Sequence, residues 1–107
     1  MSKRRSRAED QRRVVGIACY SRAQWPKLLA KAADREVLEE TYDEWVEVFN
    51  STVSKLTSSG LEWVRVPIDI DELVAWCVDN ARPLNGAARA EFTALKTREL
   101  HRGEGEA

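Results

Sequence analysis

Val14-Val15-Gly16-Ile17-Ala18-Cys19-Tyr20 is a short, nearly continuous apolar run rich in β-branched residues. It reads as a β-strand buried on both faces. Ser21-Arg22-Ala23-Gln24 follows with a capping-box spacing, and Tyr20 and Trp25 are placed to staple across it. Pro26 falls late for a first-position proline, so the helix starts at this box or at Trp25 or Pro26, and runs to about Ala33. The next strand is Leu61-Glu62-Trp63-Val64-Arg65-Val66, ended by Pro67. Glu62, Val64 and Val66 share one of its faces, and Leu61, Trp63 and Arg65 the other.

Between the strands lies a strongly patterned segment. Glu36, Glu39, Glu40, Asp43, Glu44 and Glu47 recur at i, i+3, i+4, i+7, i+8 and i+11. That spacing predicts one α-helix from a cap at Asp34 to about Thr57, with six carboxylates on a single face. Leu38, Tyr42, Trp45, Phe49, Val53 and Leu56 would run down the opposite side. The acids gather toward the N-terminal end, where the helix dipole favours negative charge. Ser58-Ser59-Gly60 ends the helix, with Gly60 as the left-handed residue beyond it.

After the second strand, Asp69-Ile70-Asp71-Glu72 forms a clear cap, and Ile68 can staple to Leu73. Ile70, Leu73, Val74, Cys77, Val78 and Ala81 then give a helical apolar stripe, broken at Arg82-Pro83. Asn85 caps a last helix with a thinner stripe of Ala88, Phe92 and Leu95. The predicted class is therefore α/β or α+β, in the order β-α-α-β-α-α. A helical crossover between two strands favours a parallel pair. A two-stranded sheet is marginal alone, so either the helices cover it or two chains join edges into a larger sheet.

The chain of 107 residues suits a single domain that buries roughly 65% of its unfolded surface. With 43% hydrophobic and 33% charged residues it has the composition of a globular protein. The formal charge of −1 hides an asymmetry. Residues 1–13 carry Lys3, Arg4, Arg5, Arg7, Arg12 and Arg13 against two acids, while residues 14–107 are net acidic. The reading is a disordered basic arm over 1–13, a globular domain over 14–101 and a frayed tail over 102–107. No apolar run approaches a membrane span or a secretory core, which places the chain in the cytoplasm without a membrane partner.

Three phrases resemble a group of small bacterial proteins of unknown function: Thr41-Tyr42-Asp43-Glu44-Trp45, Ala75-Trp76-Cys77 and Ala88-Arg89-Ala90-Glu91-Phe92. The likeness covers residues 14–98 and implies a bacterial cytosolic protein. It implies no catalytic residue.

The chemistry-bearing residues are few. Cys19 and Cys77 sit in apolar contexts where thiols are inert, and His101 has no visible partner. One histidine with two distant cysteines has no zinc spacing, so neither a metal nor a cofactor is expected. At the carboxyl ends of the strands stand Tyr20, Ser21, Arg22 and Asp69, and capping claims Ser21 and Asp69. Arg89 is suited to an ion pair with an acid on a neighbouring helix, or to an anion. Trp76 lies about 120° from the centre of its helix's apolar stripe and is either an interface anchor or covered by the last helix.

Protein binding is thus the leading functional reading, in a homodimer or with another partner. Trp76 or the acidic residues Glu40, Asp43, Glu44 and Glu47 would form the contact surface. The alternative is a nucleic-acid-associated accessory protein gripping phosphates through Lys3, Arg4, Arg5, Arg7, Arg12 and Arg13. An enzyme comes last, for want of an acid–base pair, metal set or phosphate loop.

Overall fold

The structure, a computed structural model, describes residues 14–106 and the side chains of residues 14–100. The six basic residues of the arm and the imidazole of His101 lie outside that range. The order β-α-α-β-α-α is the one expected. Strands β1 (Val14–Cys19) and β2 (Glu62–Pro67) pair in parallel, from Val14 opposite Glu62 to Cys19 opposite Pro67. The crossover holds α1 (Gln24–Lys31), a 3-10 turn (Arg35–Val37) and α2 (Tyr42–Ser58). Helices α3 (Ile70–Asp79) and α4 (Gly86–Glu106) follow β2. No described helix is long and apolar enough to cross a membrane.

The start of α1 is set locally. The backbone N–H of Gln24 donates to Ser21 Oγ at 3.3 Å, and the Ser21 carbonyl accepts from Gln24 and Trp25. Pro26 falls in the first turn, where its missing N–H breaks no helical bond. Gln24 does not close the expected capping box. Its Oε1 instead accepts from the N–H of Ile70 at 2.7 Å, tying the starts of α1 and α3 together. Asp69 caps α3 by accepting from Asp71 and Glu72 N–H, while the Glu72 carboxylate reaches Lys96 at 2.6 Å.

The acidic helix is the main correction. It begins at Tyr42 and not at Asp34. Thr41 caps it reciprocally: Thr41 Oγ1 accepts from Glu44 N–H, and Glu44 Oε1 accepts from Thr41 N–H. Glu36 lies in the 3-10 turn, and Glu39 and Glu40 lie in the connection to α2. The six-carboxylate stripe therefore does not exist as one helix face, and only Asp43, Glu44 and Glu47 are helical. The far end is as expected. Gly60 has φ of 77°, its N–H donates to the Thr57 carbonyl, and Leu61 N–H donates to that of Leu56. These are the two bonds of a Schellman stop.

The core gathers α1, α3 and α4 around the carboxyl end of the sheet. Leu28, Ile70, Leu73 and Val66 are its most buried large side chains, with Trp25, Ala88 and Phe92 beside them. Gly16 lets α4 approach β1 closely, because a Cβ there would lie 1.8 Å from Thr97 Oγ1. β1 itself departs from expectation. All six of its residues are half-buried, and among the described residues β2 is its one neighbouring strand. The helix α4 runs to Glu106.

Candidate protein-binding surface

One wall of the surface is made by the aromatic residues of α2. Tyr42, Trp45 and Phe49 fall three and four positions apart, so helical geometry turns all three toward the same side. Trp45 stacks on Trp25 with ring centroids 5.7 Å apart and meets Tyr20 edge-on at 5.4 Å. Phe49 continues the row to Trp63 of β2, whose indole N–H donates to Thr57 Oγ1 at 3.3 Å. The Tyr42 hydroxyl donates to the Tyr20 carbonyl at 3.0 Å, fixing the head of α2 to the carboxyl end of β1. Burial raises the pKa of the Tyr20 phenol, so it stays protonated.

Beside this wall a groove of about 300 Å³ opens next to Ile17 and Ala18 of β1. Ile17 and Ala18 line it together with Val48, Phe49 and Thr52 of α2 and with Leu38, Glu39 and Arg89. Ile17 and Ala18 are consecutive and point to opposite faces of the sheet. No residue of β2 lines the groove. It therefore lies at the outer edge of β1, whose backbone bonds among the described residues go to β2 and to Ile68 just beyond it. Trp25 shares the wall, and its Nε1 is buried without an acceptor among the described residues.

Arg89 supports the groove from α4. Its guanidinium makes two bonds to Asp34, at 2.8 and 3.0 Å, with side chains only 12% and 22% exposed. The hydrogen bonds from Arg89 hold the Asp34 carboxyl below its usual pKa, despite opposing desolvation. Asp34 Oδ2 also accepts from Gly86 N–H at the start of α4. This is the ion pair foreseen for Arg89. It also explains why the Asp34 side chain makes no capping bond to the 3-10 turn it precedes.

The acidic candidates stand at the same end. Glu36, Glu39 and Glu40 line a shallow cavity with Arg35 and Leu38. Asp43 accepts from Arg22 at 2.9 Å, both side chains being largely exposed, and Arg22 also lies 4.7 Å above the Tyr42 ring. Such an exposed pair contributes little. Glu40, Glu44 and Glu47 make no ion pair within the described residues. Trp76 belongs to another cluster. It is half-buried on α3 against Phe92 at 5.5 Å, with the Arg82 guanidinium 5.2 Å above its ring and held by Glu91.

The remaining candidates have structural duties. Asp69 caps α3, Ser21 Oγ accepts from Gln24 N–H in the turn before α1, and the thiol of Cys77 is buried and its pKa raised by desolvation. Both cysteines are free. Among the described residues no group of three or more His, Cys, Asp or Glu is placed to hold a metal. Leu38, Val48 and Thr52 were missed as surface residues. A signal for them existed: β1 has no charge or proline, whereas β2 carries Glu62, Arg65 and Pro67.

No family model matches the chain, and neither a curated protein nor a solved structure matches it.

Proposed function

We propose that this protein is an interaction module that binds a protein partner along the outer edge of β1, as a cytoplasmic homodimer or with another chain. The observation that carries the reading is the groove beside a strand edge that is uncharged and, among the described residues, unpaired. An added strand would gain main-chain hydrogen bonds there, with side-chain contacts to Val48 and Phe49. Glu40, Asp43, Glu44 and Glu47 give the adjoining surface a negative field that favours a basic partner. Two unpaired cysteines suit a reducing compartment.

Capture of partners by the full chain tests this reading. Wild type is compared with Val48→Asp in the groove, with Glu40→Lys combined with Glu44→Lys, and with Trp76→Ala. A partner present at stoichiometric level should be lost with the groove variant and weakened by charge reversal. Retention by the groove variant with loss on Trp76→Ala would move the surface to the α3–α4 side. Recovery of nucleic acid alone, with steep salt dependence that vanishes on deleting residues 1–13, would replace the protein-binding reading.

A further inference from the structure

The two strands of the sheet differ in how their free edges are defended. β2 carries Glu62 and Arg65 and ends in Pro67, devices that discourage another strand from pairing. β1 reads Val14-Val15-Gly16-Ile17-Ala18-Cys19, with no charge, no proline and an open groove beside it. An unguarded edge of this kind invites pairing. We propose that its occupant is β1 of a second copy of this chain, paired antiparallel across a two-fold axis, so that two two-stranded sheets become one of four strands. This rests on the binding reading above and names the partner.

Charge complementarity selects a second copy. The groove's acidic end is the carboxyl end of β1, because Glu39 lines it together with Tyr20, and Tyr42, next to Asp43, is bonded to the Tyr20 carbonyl. The basic residues 3–13 precede Val14 and thus join the opposite end of β1. In an antiparallel pair each strand begins beside its partner's carboxyl end. The basic arm of each chain is thereby delivered to the other's Glu39, Glu40 and Glu44, twice in one dimer. The paired strands bring no like charges together, since neither β1 has any. A two-stranded sheet, marginal alone, gains two central strands. The reach is sufficient. β1 spans roughly 20 Å, and the contour length of thirteen residues, roughly 40 Å, exceeds that.

Sedimentation equilibrium of the full chain over a range of concentrations tests the pairing. Wild type should reach the mass of a dimer. Ile17→Lys, which puts a charge in the groove, should be monomeric while keeping its helical circular dichroism. Deleting residues 1–13, or combining Glu39→Lys with Glu44→Lys, should weaken self-association roughly tenfold or more, and high salt should weaken wild type likewise. If Ile17→Lys does not fold, the arm deletion and salt dependence decide. A wild type that stays monomeric at every concentration overturns the pairing, and so does a dimer indifferent to all of these changes. A monomeric chain that still captures another protein, and loses it with Val48→Asp, leaves the binding reading standing and gives the edge to a foreign strand. Loss of both removes the two together.

Discussion

On the α4 side of the sheet, Gly16 lets the helix come within contact of the strand, and Val66 and Leu73 beneath it are 1% and 0% exposed. On the α2 side, contact is made by large rings, and Val48 stays 46% exposed at the rim of a groove. The first arrangement closes a core. The second props a helix away from the strand edge and leaves a channel beside it. Fold stability should therefore concentrate on the α4 side and binding on the α2 side.

The sharpest separation is in stability. Leu73→Ala should destabilise by about 2–5 kcal/mol, while Val48→Ala stays within about 0.5 kcal/mol, as read by urea unfolding. Comparable losses at both positions would erase the contrast. Next comes the close approach. Gly16→Ala should cost about 1–3 kcal/mol, because Thr97 must move to admit the new Cβ. Adding Thr97→Ala should recover only part, since the Thr97 Cβ itself lies 2.9 Å from the new carbon's position. Full recovery would show that α4 can shift freely.

The Asp34–Arg89 pair joins the 3-10 connection to α4, and Arg89→Met should cost about 2 kcal/mol near neutral pH. Arg89 lowers the folded pKa of Asp34 below its unfolded value. The pair's contribution is therefore complete above the unfolded carboxylate pKa of about 4 and is lost as pH falls through the depressed folded value. Wild type and Arg89→Met should converge in stability toward strong acid. A constant difference down to low pH would mean the guanidinium acts by packing alone. The smallest effect belongs to Lys96, whose pKa is raised chiefly by its bond to Glu72. Its contribution is present below the unfolded pKa of about 10.4 and fades as pH rises through the raised folded value. Lys96→Met should cost about 0.5–1 kcal/mol at neutral pH and less in strong alkali.

What could be read from sequence was local. The Asp69 cap and the Gly60 stop each follow from residues within a few positions, and the helical crossover favours the parallel pairing that the strands adopt. The start of α2 was misread because acidic periodicity ran on through residues 36–40. The box Thr41-Tyr42-Asp43-Glu44 was present and decided the matter. Asp34 could not be assigned locally, since its partner Arg89 lies 55 positions away. The exposure of β1 was hidden for a related reason. An apolar run records a strand's chemistry, but the number of strands beside it is a property of the whole chain. Of the surface, the acids and aromatics were visible as residues, while the groove between them was not.

The claim that the outer edge of β1 is the working surface is tested most directly by amide hydrogen exchange over residues 14–20, comparing dilute with concentrated full chain. Exchange there should slow as concentration rises, with protection extending to the groove wall around residues 45–52. Exchange in β1 that is independent of concentration, beside new protection around Trp76, would contradict the account.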